Sequence, residues 1–301
     1  MIGPRKRAAR RRPVLPSWPA NYIRESNMSL FDAFRYDGKR VLVVGGATGM
    51  GAAAAQIAVA AGAEVVVLDI AEITVPGVKG THVDLRDTAS IDAALEAVGG
   101  PVHAVLCCAG VADGDPGIEK VNFLGHRYLL EKLLAADALP RGSAIGFISS
   151  AAGLGWEKNL PALREYLAIS DIDEASAWAL EHNNATYMWS KQAVCAYVAT
   201  QAMPLLTRGI RINAICPGPT DTPLARAHSE TWLGFGAGYR AEVGIEAATP
   251  LEQGYPLVFL CSDAAAGISG ITLITDAGHF AAGNTEVFPA DTPAVRFLLG
   301  K

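Results

Sequence analysis

The stretch Arg40-Val41-Leu42-Val43-Val44, followed by Gly45-Gly46-Ala47-Thr48-Gly49-Met50-Gly51, constrains this chain more than any other. A short apolar run rich in valine, bounded by turn residues, reads as a buried parallel strand. The alanine-rich residues that follow, to about Ala61, read as a helix. Strand, glycine-rich turn and helix in this order form the context that a dinucleotide phosphate site requires. Glycines let the backbone approach a pyrophosphate, and the helix N-terminus supplies amides and a favourable dipole. The plainer reading is a tight strand-to-helix turn with no ligand.

The next strand, Glu64 to Asp69, ends in an acid. A carboxylate there can accept hydrogen bonds from the ribose hydroxyls of an adenosine, or can simply be a solvated strand end. Further strands are predicted at Thr81 to Asp84, Pro101 to Cys107, Ser143 to Ile148, Ile210 to Ile215 and Ile271 to Thr275. Asp84 either faces the adenine edge or caps the helix that starts near Thr88. His103 lies in an apolar strand and reads as a packed histidine. A helix from about Ile118 to Ala135 carries Asn122, a residue disfavoured in mid-helix unless its side chain has a task. Helices alternate with strands along the chain. The expected fold is therefore α/β, a doubly wound parallel sheet of the Rossmann type in a single domain.

Tyr187-Met188-Trp189-Ser190-Lys191 carries the chemistry. Tyrosine and lysine four residues apart share a helix face. A phenol titrates near ~10 and is a weak base at neutral pH, but a neighbouring positive charge favours the phenolate. The pair can therefore take a proton from an alcohol. The same spacing also occurs on many solvated helix faces, so the rest of the chain has to support it. Ser149 and Ser150 stand at the carboxyl end of a strand, where open α/β sheets bind their ligands.

Composition narrows the class. Charged residues make up 18% of the 301, which favours a folded core over disorder. No apolar run reaches the ~18 residues of a membrane span. The five cysteines are odd in number and lack Cys-x-x-Cys spacing, which argues against a disulfide framework or a metal site and suits a reducing cytoplasm. Seven basic residues and one acid fall within residues 1–28, leaving the remainder at a net charge of −11. An acidic body does not suit nonspecific nucleic-acid binding. Residues 1–36 read as a basic, disordered extension, with Met28 as an alternative start, and 37–301 as the catalytic domain.

Taken together, these motifs resemble the short-chain dehydrogenase/reductase family, across roughly residues 37–283. Its glycine motif matches as Gly45, Gly49 and Gly51, with Val44 where threonine is usual. Its Asn-Asn-Ala-Gly motif appears as Cys107-Cys108-Ala109-Gly110, which loses both asparagines. Its catalytic four map onto Asn122, Ser150, Tyr187 and Lys191. Ser150 is preferred over Ser149 because x-x-Gly follows it. Pro217-Gly218 with Thr220 matches the segment that contacts the nicotinamide carboxamide. Ile268-Ser269-Gly270 and Asp276-Ala277-Gly278 match the C-terminal signature.

The resemblance implies NAD as cofactor, held by Gly45, Thr48, Gly49, Met50, Gly51, Asp69, Asp84, Leu85, Cys108, Ala109, Gly110, Tyr187, Lys191, Pro217, Gly218, Thr220 and Thr222. It implies Tyr187 as acid/base, Ser150 on the substrate oxygen, Lys191 on the phenol and the nicotinamide ribose, and a water held by Asn122. It implies a homodimer or homotetramer acting on a small alcohol or carbonyl compound.

The gap from Ser150 to Tyr187 is long for the family. Asn159 with Pro161 and Asp171 with Glu174 read as two helix starts inside it, forming an insertion at about 154–184. That insertion is similar to the branch of bacterial 3α-hydroxysteroid dehydrogenase/carbonyl reductase and coniferyl-alcohol dehydrogenase, which implies a bulky apolar or aromatic substrate. Its apolar faces must be buried over the cleft or against a second subunit. Relatives without it pair their helices here in a tetramer, so the extra mass favours a dimer. Two other readings stand beside this one. A sugar-nucleotide epimerase or dehydratase would carry a Gly-x-x-Gly-x-x-Gly turn and a longer C-terminal domain, both absent here. A non-catalytic dinucleotide sensor would have no need of Ser150, Tyr187 and Lys191 together.

Overall fold

The computed structural model describes residues 29–301. The basic tail expected at the N-terminus falls, except for its last residues, outside the described range. Residues 29–32 make a local turn in which Ser29 N–H donates to the Asp32 carboxylate at 2.8 Å. Residues 33–301 form one compact unit. That unit starts before the expected Asp37. Tyr36 is 1% exposed, its hydroxyl donates to the Val258 carbonyl at 2.6 Å, and its N–H donates to the Ala61 carbonyl at 2.8 Å.

Seven parallel strands form the centre: β1 (Arg40–Val44), β2 (Glu64–Asp69), β3 (Val78–His82), β4 (Ala104–Cys107), β5 (Ala144–Ile148), β6 (Arg211–Pro217) and β7 (Thr272–Thr275), in the order β3-β2-β1-β4-β5-β6-β7. Buried valine and leucine dominate β1 and β2, as strands covered on both faces require. β3 starts earlier than its sequence suggests. Val83 and Asp84 lie beyond its end, because Gly80 and Lys79 pair in register with Val67 and Val66. His103 sits just before β4, where its Nδ1 accepts from Arg40 N–H at 3.0 Å.

One face of the sheet carries α1 (Gly49–Ala60) and α10 (Pro250–Cys261). A Cβ at Gly254 would lie 3.2 Å from Ala54 N, so glycine and alanine bring the two helices into close contact. The other face carries α2 (Thr88–Val98), α3 (Gly125–Ala135) and α6 (Tyr187–Thr207). Asp87 caps α2 by accepting from Ala89 N–H at 2.9 Å, so the cap is not Asp84. The helix expected from Ile118 begins instead with a π-helical turn, Lys120–Leu124, that contains Asn122. Single π turns are frequent at functional sites.

The insertion forms α4 (Leu160–Ala168) and α5 (Ile172–Glu181). Asp171 caps α5 by accepting from Asp173 and Glu174 N–H. The apolar faces of both helices turn inward, toward α3 and α6 of the same chain. Tyr166 is 1% exposed and stands 5.9 Å from the Phe123 ring, 5.4 Å from Trp178 and 6.0 Å from Trp189. Of the two fates expected for these faces, the structure supplies a third: they complete the core of their own protomer.

Beyond β6 come α7 (Pro223–Ala227), α8 (Ser229–Trp232) and α9 (Ala237–Val243), and beyond β7 come α11 (His279–Asn284) and α12 (Thr292–Leu298). The glycine-rich stretch from Gly234 to Gly244 contains a helix, α9. Val295 of α12 is fully buried in a small core with Ala151, Leu154, Cys195, Cys216 and Phe280. The C-terminal segment thereby backs the turn that follows Ser150. No described helix is long and apolar enough to cross a membrane.

Candidate active site

The strand order reverses between β1 and β4, and a cleft opens at their carboxyl ends. This is where open α/β sheets bind ligands. Gly45 has φ +84° and Gly49 φ +57°, conformations that glycine adopts without strain. A Cβ at Gly51 would sit 1.9 Å from the Gly45 carbonyl oxygen, so a side chain there would break the turn. Thr48, Met50, Asp69, Asp84, Leu85, Cys108, Ala109, Gly110 and Thr222 all line the same cleft. Pro217, Gly218 and Thr220 do not: Thr220 Oγ1 donates to the Gly218 carbonyl at 3.0 Å, and Gly218 faces a separate cavity beside α9 and α10.

The Asp69 carboxylate accepts from Ala47 N–H at 2.8 Å and Ala71 N–H at 2.9 Å. Those bonds fix it at the rim while leaving lone pairs for further donors. Asp84 accepts from Arg86, whose guanidinium also donates to the Pro116 carbonyl at 2.9 Å. Arg86 is a cleft cation that pattern reading missed, because no motif marks it. The main-chain approach and the oriented carboxylate together fit a nicotinamide dinucleotide.

The reacting groups lie where the cleft passes Gly110. A Cβ at Gly110 would stand 3.4 Å from Asn122 Oδ1 and 3.5 Å from Lys191 Nζ. The Asn122 side chain accepts from Val111 N–H at 2.7 Å and donates to the Val111 carbonyl at 3.0 Å. Its amide is thus a clamp on the backbone, the task that its mid-helix position demands. Lys191 is 4% exposed and donates to the Ile148 carbonyl at 3.0 Å. The half-buried Tyr187 lies beside it, with Nζ 5.4 Å from the ring centroid. Ser150, just after β5, accepts from Ala152 N–H at 3.1 Å, and its hydroxyl neighbours the Tyr187 phenol. A Cβ at Gly153 would collide with Ser149 Oγ and the Lys191 carbonyl, which is why the serine pair needs a glycine close behind it.

The phenol is not lowered on balance here, because burial outweighs its neighbours. Desolvation pushes Tyr187 up to about 12, opposed by the Ser150 hydrogen bond and reinforced by Asp113 and Cys216. The ammonium is itself pushed down to about 8, by burial first.

The family profile described as Enoyl-(Acyl carrier protein) reductase matches residues 45–279. The 3-alpha-hydroxysteroid dehydrogenase/carbonyl reductase of Comamonas testosteroni is 31% identical over 257 residues, covering 79% of this chain and 95% of its own. The chain belongs to the short-chain dehydrogenase/reductase family.

Coniferyl-alcohol dehydrogenase from a Pseudomonas strain is 28% identical over 249 residues, covering 80% of this chain and 96% of its own. A crystal structure of 3-alpha-hydroxysteroid dehydrogenase from Pseudomonas sp. B-0831, complexed with NADH, superposes with a TM-score of 0.68 at 27% identity, covering 83% of this chain and all of that one. This short-chain dehydrogenase/reductase is an oxidoreductase of the branch to which those proteins belong.

Further residues reach the site without any sequence signal. Trp232 of α8 brings its ring to 4.8 Å from that of Tyr187. Asp113 accepts from Tyr187 N–H at 2.7 Å. His126, 1% exposed, sets Nε2 3.2 Å from the Ala109 carbonyl.

A buried ammonium has a consequence for stability. An unfolded lysine titrates near ~10.4. Because Lys191 sits near 8 in the fold, the unfolded chain binds more protons between these values, and stability from this group rises with pH across that window. Below about pH 8 the whole penalty is present. Lys191→Met should therefore raise unfolding stability by ~1–2 kcal/mol at pH 7, and the gain should vanish near pH 10. Urea midpoints at the two pH values measure it; a variant less stable at pH 7 would refute the burial penalty.

Proposed function

We propose that the enzyme is NAD-dependent and interconverts a secondary alcohol and its carbonyl compound. The observation that carries this is the meeting of Ser150, Tyr187 and Lys191 beside the dinucleotide cleft at Gly110. The dinucleotide, when bound, supplies the hydride chemistry. The glycine turn and Asp69 would hold its adenosine end, and Lys191 the nicotinamide ribose. Ser150 orients the substrate oxygen. Tyr187 takes the proton from an alcohol or returns it to a carbonyl oxygen. Asn122 fixes the backbone around Lys191 and, in this reading, a relay water.

The substrate is a bulky cyclic or aromatic alcohol. Support comes from the Trp232 ring beside Tyr187, which offers a flat apolar wall, and from the names of the relatives. The five free cysteines suit a reducing cytoplasm. Screening NADH formation over steroid, terpenoid and aryl alcohols tests the activity. Tyr187→Phe should still bind NADH while turnover falls ~10²-fold or more. Near-normal turnover in that variant would remove Tyr187 as the base.

The assembly in this reading is a homodimer. The insertion occupies the outside of α6, where it blocks pairing through that helix. Edge strand β7 and helix α10 meanwhile leave Ile271, Ile274, Leu251 and Tyr255 exposed for an isologous contact. Light scattering should give a dimer; a tetramer built through α6 would overturn it.

The preference for NAD rests on Asp69. With NADP a phosphate would stand against that carboxylate, and two unit charges about 4 Å apart repel by about 4 kcal/mol at an effective dielectric near 20. Screening reduces this, yet ~1.4 kcal/mol is already tenfold. Ile70 and Ala71 follow Asp69, and Arg86 is engaged by Asp84 and Pro116. Catalytic efficiency should favour NAD by ~10-fold or more, and Asp69→Ser should narrow the gap. Equal efficiencies in the unaltered enzyme would sink the assignment.

A further inference from the structure

Tyr187 is gripped through both of its backbone groups. Its N–H donates to Asp113 Oδ1 at 2.7 Å. Its carbonyl accepts from the Ser190 hydroxyl at 2.8 Å. Ser190 Oγ in turn accepts from Asn122 Nδ2 at 3.2 Å, the same amide that clamps Val111. Asp113, Val111 and Asn122 all belong to the connection from β4 to α3, which lines the cleft through Gly110, Val111 and Val121. One segment therefore touches both the dinucleotide cleft and the backbone of the tyrosine. Thr186 already caps α6, through Trp189 N–H at 3.2 Å, so Asp113 is a second and long-range tie, 74 residues away in sequence.

We propose that Asp113 is a positioning residue that couples the dinucleotide cleft to Tyr187 and places a negative charge beside it. This rests on the reading of Tyr187 as the acid/base. The groups facing Tyr187 are Asp113 from the β4–α3 connection, Lys191 from its own helix, Ser150 after β5, Cys216 in β6 and Trp232 of α8, with His228 behind Trp232. Asp113 is the carboxylate among them, and a negative charge there opposes the phenolate. No motif of the family marks this position.

Two variants separate tie from charge. Asp113→Asn keeps the acceptor and removes the charge; Asp113→Ala removes both. NADH affinity, read by fluorescence titration, needs no substrate. Asp113→Ala should weaken it ~5-fold and lower turnover ~10-fold, since displacement of a positioned group is costly to rate. Asp113→Asn should bind NADH normally and move the pH rise of kcat/KM for alcohol oxidation down by ~0.5 unit. The alcohol is the fastest of the panel above. Unchanged NADH affinity in Asp113→Ala would overturn the coupling, whatever the activity. A pH profile unmoved in Asp113→Asn, with only a lower melting temperature, would reduce Asp113 to a helix cap and overturn the charge role. Failure of the Tyr187 reading appears separately, as normal turnover in Tyr187→Phe.

Discussion

Gly45 and Ala109 meet where the sheet reverses its strand order, and nothing larger than hydrogen fits between them. A Cβ on Gly45 would lie 2.2 Å from Ala109 N. The closeness follows from the ladder itself. Val44 pairs with Cys107, and the Val44 carbonyl accepts from both Cys108 and Ala109 N–H. With β1 and β4 drawn together there, the two outgoing connections must diverge, one into α1 and the other toward α3. The cleft is the space they leave. Everything that makes the site depends on that divergence: the amides at the start of α1, Asp69 at the end of the neighbouring strand, and Gly110 beside Lys191.

The parts of this arrangement that lie within a few residues of each other were legible from sequence. Val41 to Val44 and Val65 to Leu68 announce buried strands by composition alone, and the glycines of the turn announce their backbone by absence of a side chain. The insertion's helices were legible through Asp171, whose carboxylate caps α5, and less so through Asn159. The Asn159 side chain donates to Gln192 instead of capping α4. What sequence could not reveal depends on distance along the chain. Asp113 and Tyr187, or Trp232 and Tyr187, are joined by the topology of the sheet and not by any local pattern. The shift of β3 has the same origin, since its bounds are set by pairing with β2 and not by its own residues. Tyr36 was assigned to the tail because prolines and arginines dominate before it, yet a single hydroxyl bonded to Val258 draws the chain into the core.

The missing asparagines of the fourth strand have a physical resolution. Cys107 is buried within β4, and Cys108 packs against the glycine turn, where a Cβ on Gly51 would approach its own Cβ at 3.0 Å. Neither can hold the loop by hydrogen bonding as an amide would. His126 stands in the gap, with Nε2 at the Ala109 carbonyl. Burial pushes the imidazole down to about 4, so the ring is neutral and can donate from Nε2 in one tautomer. The support moves from the strand to α3, and the shape of the cleft is kept.

The same burial governs the two reacting groups. Packing of the insertion on α6 and of α12 behind Ser150 thickens the protein around Tyr187 and Lys191. Desolvation disfavours the charged form of each, raising the phenol and lowering the ammonium. The two shifts bring their pKa values toward inversion, which is the reverse of what an exposed Tyr-x-x-x-Lys pair would show. Opposite charges that would each be costly alone are less costly together, because each offsets the desolvation of the other. The helix turn that separates Tyr187 from Lys191 fixes their spacing, and the carbonyl of Ile148 keeps the ammonium within that turn. Ser150 is the hydroxyl that neighbours the phenol and opposes its upward shift.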